Sequence, residues 1–178
     1  MSDLDFYAHV ATRGDVLGAG ISAPPAAWEV ALGSDYLDDA SHGLMRRDYG
    51  LVELSFEEHD GVWSCFGISV QVHRLRTGDA SMVPPPLLNA YGHFTSRVDA
   101  DELSAAITRL GYSIEPDDDT TTTTDVRRYR VRETGARIFV VADPDPYGYG
   151  EDDPDMPGPR AGDVRAVVLS PSWWPKES

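Results

Sequence analysis

Cysteine is almost missing from this chain. Cys65 is the only one in 178 residues, so no internal disulfide can form. Lysine occurs once, at Lys176, against fourteen arginines, which reads as the bias of a GC-rich genome rather than a choice of guanidinium. Thirty acidic residues outweigh the fifteen basic ones, basic clusters included, and the net charge is −15. Phosphate recognition needs such clusters, so the balance argues against nucleic acid and anionic membranes and leaves room for a basic partner. No apolar run approaches the length of a membrane span, and no basic-then-apolar signal segment is visible. The cytoplasm is the expected compartment.

The usual signatures of chemistry are missing too. His9, His42, His59, His73 and His93 are scattered, none shares an i, i+4 spacing with another ligand, and Cys65 has no C-x-x-C partner. Gly14, Gly18 and Gly20 lack the spacing and the basic residue of a phosphate loop. Cys65 and His73 fall on one face of a single expected strand but eight residues apart. At about 3.3 Å per residue that is roughly 26 Å, too far for a nucleophile and its base. Cys65 reads as a small residue packed beside a sheet. No cofactor is expected.

What the chain does carry is a strongly patterned stretch at residues 46–75. Val52, Leu54 and Phe56 alternate with Glu53 and Ser55; Phe66, Ile68, Val70 and Val72 alternate with Ser69, Gln71 and His73. A period of two predicts two antiparallel strands with one buried face. The core residues of both strands are even-numbered, which requires an odd-length loop. A three-residue His59-Asp60-Gly61 loop, with Gly61 at positive φ, meets that condition.

Around this hairpin the sequence predicts helices over residues 2–12 and from Pro24-Pro25 to a stop at Gly33, then an acidic connection over 34–43 and a first strand over 44–48. Residues 77–92, with Pro84-Pro85-Pro86, read as a connector. Asp99 reads as an N-cap completed by Glu102, with Val98 and Leu103 stapled across it and Gly111 ending the helix. A second hairpin follows, over 126–133 and 136–142, its Thr134-Gly135 turn even in length. The last strand, 164–169, is apolar on both faces and is expected to be central, with Trp173-Trp174 capping the core. Helix, hairpin and strand thus occur twice. The expected fold is α+β, mostly antiparallel, with a tandem αβββ repeat: residues 1–76, a connector at 77–92, and residues 93–178, or the two units fused into one domain.

Candidate sites are few. Asp48, Glu53 and His73 stand near the central strands and would serve a small hydrolase or transferase; the plainer reading is a polar outer sheet face. The segment from Asp143 places Asp145 and Gly148 at calcium-loop positions three and six, but Tyr147 and Pro154 stand where carboxylates belong, so it reads as a solvated loop. Among the aromatics, Trp63 beside the hairpin is the candidate anchor for a partner. Two acidic loops, with Asp117, Asp118 and Asp119 in one and Glu151, Asp152, Asp153 and Asp155 in the other, are the candidate steering surfaces.

The segments WEVALG (residues 28–33), RRDYGLVELSF and WSCFGISVQVHRL resemble small cytoplasmic proteins of actinobacteria. Some of those are similar to the immunity proteins encoded beside polymorphic toxins. The resemblance covers about residues 24–76 and carries over no catalytic residue. It implies a non-catalytic protein that neutralises a cognate toxin. A structural component of a secretion or phage-like assembly is the remaining alternative.

Overall fold

A computed structural model describes residues 1–78, 80–117, 124–148 and 158–170. The chain opens with helix α1 (Asp3–Arg13), capped by Ser2 and Asp5 in a reciprocal box and ended by Gly14 in the left-handed region. A two-strand ribbon follows, β1 (Asp15–Val16) and β2 (Ala19–Gly20). Helix α2 (Pro25–Leu32) starts on proline and stops at Gly33, as expected. Four strands then run as a meander: β3 (Leu37–Ser41), β4 (Leu44–Asp48), β5 (Val52–His59) and β6 (Val62–Val70). Two 3₁₀ turns, Val72–Arg76 and Ala80–Met82, lead to α3 (Pro85–Tyr91) and α4 (Ala100–Arg109). A second meander closes the described chain: β7 (Ile114–Pro116), β8 (Val126–Val131), β9 (Arg137–Val141) and β10 (Val164–Leu169).

The two meanders form one antiparallel eight-stranded sheet in the order β3-β4-β5-β6-β10-β9-β8-β7. They meet at their fourth strands, where Val70 opposes Val167 and Ile68 opposes Leu169. β10 is central, as its apolar faces predict. One face of the sheet carries Val52, Leu54, Phe56, Cys65, Ile68, Val70, Ile138, Val140 and Val167, all buried. Helices α1 and α2 pack on it, against β10 and β6 respectively. Phe6 of α1 gathers Tyr7, Tyr91 and Phe94 at ring-centroid distances of 5.2–5.5 Å. Such tilted and edge contacts suit the ring quadrupoles.

The central hairpin differs from its expected register. Asp60 (φ 52°) and Gly61 (φ 79°) make a two-residue turn, with His59 opposite Val62. Positive φ at both central residues matches the strand twist. Gly61 thus has the expected φ, but the three-residue loop is replaced. The extra residue that parity demands sits further along β6. Phe56 faces Cys65 while Ser55 faces Gly67, so Phe66 is a bulge. Cys65 therefore points inward, and Phe66 does not join the buried set. β6 also ends at Val70, so Val72, His73 and Leu75 belong to a 3₁₀ turn rather than a strand.

Other expectations change for local reasons. Residues within the acidic connection form β3, because a two-residue His42-Gly43 turn (φ 54° and 77°) folds it back on β4. The proline run in the connector opens α3, since Pro85 lies in the first turn, where its missing N–H costs nothing. The second hairpin keeps its even loop, but Val131 donates to the Ala136 carbonyl, so residues 132–135 form the loop rather than Thr134-Gly135 alone. The Asp99 cap holds, accepting from the Asp101 and Glu102 amides. At the other end Gly111 donates to Thr108 and Tyr112 to Ile107, a Schellman closure. Trp173-Trp174 lies outside the described residues.

Arg47 ties α2 to the first meander. It occupies an inward position of β4, opposite Leu54, and is 4% exposed. Its guanidinium grips Asp38 at 2.9 and 3.1 Å, donates to the Pro25 carbonyl at 3.1 Å, and lies 3.7 Å from the Tyr36 ring centroid. Tyr49 completes the joint by donating to the Gly33 carbonyl at 3.0 Å. The Asp38 side chain is 33% exposed and the Arg47 side chain 5%. Removing the acid strands a buried cation; removing the cation leaves an acid that water can reach. Asp38→Ala should therefore lower stability by about 3 kcal/mol, and Arg47→Met by clearly less, as read from urea midpoints. Equal losses would mean the asymmetry of burial does not govern this pair.

Candidate functional site

The helix-free face of the sheet carries charge. Asp48 on β4 and Glu53 on β5 are direct cross-strand partners. Like charges so placed repel, and Arg74 from the 3₁₀ turn bridges them. Its Nη1 lies 2.9 Å from Asp48 Oδ1 and its Nη2 2.9 Å from Glu53 Oε2. Arg46 adds a contact to Glu53 Oε1 at 3.2 Å. Asp48 also accepts from the Gly50 amide at 2.7 Å, and Arg74 donates to the Gly50 carbonyl. The second meander inverts the signs. Arg130 and Arg137 oppose each other directly, Glu115 lies 2.7 Å from Arg130, and Asp117 sits 3.3 and 3.4 Å from Arg128 and Arg137. The last two are contacts of charge rather than well-directed hydrogen bonds.

The three candidate catalytic residues do not converge. Asp48 and Glu53 come together only through Arg74. His73 turns to the other flank of the 3₁₀ turn, where Nδ1 lies 3.2 Å from the Arg165 carbonyl and donates to it. Burial lowers the His73 pKa, and Arg165, Arg74 and Arg76 add to that, while the Arg165 carbonyl opposes it. Cys65 is not its neighbour in any bonding sense: the thiol points into the core and donates to the Gly67 carbonyl at 3.4 Å. Among the described residues, no group of three His, Cys, Asp or Glu side chains is placed to hold a metal.

The candidate partner-binding residues divide in the same way. Asp117 is held by Arg128 and Arg137 rather than standing away from the fold. Asp118, Asp119, Glu151, Asp152, Asp153 and Asp155 lie outside the described residues. Trp63 is half-buried against the core near the tip of the β5–β6 hairpin. There the structure adds residues that sequence reasoning missed. The β3–β4 and β5–β6 turns lie at the same end of the sheet, tied by the Glu58 amide donating to the Gly43 carbonyl at 2.9 Å. That end exposes Val62 (65%) and Leu44 (48%). Glu57 shares their face, 3.6 Å from His59, while Glu58 pairs with Trp63 on the other face and Asp60 lies in the turn. The signal in the sequence was the pair of His-Gly and Asp-Gly turns, each followed at once by an aliphatic residue.

Neither a family model, a curated protein nor a solved structure matches the chain. No helix among the described residues is long and apolar enough to cross a membrane.

The thiol gives a direct check on the hairpin's phase. Burial pushes Cys65 up to about 12, against a partial offset from its bond to Gly67. The thiolate is the reactive form. Native protein at pH 8 should therefore leave a disulfide reagent such as Ellman's unconsumed for hours and react within seconds in denaturant. Rapid reaction of the native chain would place Cys65 on the open face and Phe66 inside.

Proposed function

We propose that this chain is a non-catalytic binding protein of the immunity type, which docks on and neutralises a basic protein toxin through the hairpin tips of its first meander. One observation carries the reading: two tight turns at one end of the sheet expose Val62 and Leu44 on its open face, with the half-buried Trp63 on the other face of the same hairpin and carboxylates on both sides. Exposed aliphatic side chains at a hairpin tip that also carries a core-anchored tryptophan suit a partner contact that wraps the tip. The acidic rim suits a basic partner, raising its association rate more than its affinity. The ion network that occupies Asp48 and Glu53, and the distance of His73 from it in bonding terms, favour binding over acid–base catalysis.

We infer also that the two meanders descend from one duplicated unit, with four strands where the sequence suggested three. Their mirrored order in the sheet supports this, and so do two matching bulges. Phe66 interrupts the fourth strand of the first meander against its third strand, and Arg165 does the same in the second.

The test begins with affinity capture from the native strain using the wild-type chain and a Val62→Asp/Leu44→Asp variant. The expected partner is basic, is retained by the wild type and is lost by the variant. Its association should slow as salt rises, because exposed charges are screened over about 8 Å at physiological ionic strength, while dissociation stays nearly constant. Expressing that partner in cells should arrest growth, and coexpression of this chain should restore it. A partner that binds the variant equally well refutes the surface. A partner that is harmless to cells refutes the immunity role.

A further inference from the structure

On the flank away from Asp48, a shallow cleft opens behind the β10 bulge, where the 3₁₀ turn Val72–Arg76 crosses the strand. His73 and Arg76 come from the turn, Arg97 from the segment before α4, and Arg165 from the bulge itself. Asp163 is the carboxylate in its wall. It is already engaged, receiving Arg97 Nη1 at 2.7 Å and the Arg160 amide at 2.8 Å. The other branch of Arg97 donates to the Gly158 carbonyl at 2.7 Å. Among the described residues, Arg76 and Arg165 have no carboxylate within ion-pair distance. Among the described residues, three guanidiniums thus share one acid, in a chain whose net charge is −15.

We propose that this cleft is an anion site that takes a phosphate group, held between the Arg76 and Arg165 guanidiniums and the His73 ring. The planar forks of two arginines match tetrahedral oxyanions, and the shared positive field is relieved when one arrives. Val72 and Val164 form an apolar lining that limits water, and Ser96 offers a further hydroxyl at the rim. The cleft is shallow, so the group would sit at its mouth, and its lining presents no aromatic face on which a base would stack. The Arg76 guanidinium is pulled below its ordinary range by burial, with Arg97 and Arg165 adding to the effect and Asp163 opposing it. A bulge beside such a cluster is where strands commonly re-aim side chains toward ligands. The site is separate from the hairpin tips, and the inference does not depend on the docking role proposed for them.

The probe is inorganic phosphate, titrated into the full chain at constant ionic strength made up with chloride, while the His73 ring is followed by NMR. A bound dianion stabilises the imidazolium, so the ring should show a saturable shift and titrate at higher pH when phosphate is present. Asp163, Arg74, Arg76, Arg97 and Arg165 are the charged groups that already face or neighbour this ring, and they are the same in both arms. Arg76→Gln should weaken binding at least ten-fold, with the rest of the spectrum and the melting temperature unchanged. Arg165→Gln, at an exposed position, should weaken it similarly and serves if the first variant is unstable. A parallel titration with O-phosphoserine separates the sources of the group. Tighter binding than inorganic phosphate points to a phosphorylated side chain, and weaker binding to the free ion. A His73 response no greater with phosphate than with chloride, or equal affinity in a folded arginine variant, overturns the assignment.

Discussion

The structure depends on keeping one side of eight strands in phase. Side chains alternate across a strand, so a slip of one residue turns an entire apolar set outward. Helices cover only one face of this sheet, and the tolerance for error is therefore small. The chain keeps phase with two tight turns and two bulges. Without the Phe66 bulge, the even residues of β5 would face the odd residues of β6 along their whole length, and Ile68 and Val70 would leave the core. The bulge hands the inward position from Cys65 to Ile68 and preserves burial on both sides of the irregularity. Arg165 does the same between Val164 and Val167. Its cost is a carbonyl freed from the ladder, which His73 then satisfies.

Charge is handled by the same geometry. On the open face, cross-strand positions bring Asp48 against Glu53 and Arg130 against Arg137, and each pair is quenched by the opposite sign from a neighbouring element. On the closed face, Arg47 is buried against an aromatic ring and paired with an acid that water still reaches. The acidic composition is therefore far from uniform. Internal pairing consumes the carboxylates beside the sheet centre, the hairpin tips keep theirs facing water, and the cleft at β10 carries an excess of the other sign.

Much of this was legible in residue order. The Asp99 cap, the Pro25 start, the Gly111 stop and the central placement of β10 each rest on a local rule that tertiary contacts reinforce. The bulge was not legible, because parity fixes that one residue must be added but not where. The choice fell on Phe66 because the small Cys65 takes the buried place instead. β3 was missed because every residue of it is exposed, so it has no alternation to read; only the His42-Gly43 turn and its pairing with β4 make it a strand. The Asp48–Glu53 pairing follows from register, but Arg74 between them does not, since it depends on β6 ending at Val70 and the chain curling back. The cleft was invisible for a related reason: its basic residues lie at positions 73, 76, 97 and 165, brought together only by the sheet's middle.

That middle has a consequence for how the chain assembles. Within each meander, neighbouring strands pair through nearby sequence, and such contacts close quickly. The two halves are joined through β6 and β10, where Val70 meets Val167 across 97 positions. The entropy of closing so long a loop must be met before the contact is rewarded. Until then each half carries a fourth strand with one open edge and an apolar inner face, the condition under which chains find one another instead of themselves. Either half alone, or a chain delayed between them, thus has a ready route to exchange: β6 of one molecule against β10 of another, giving a domain-swapped dimer built from the same hydrogen bonds as the monomer.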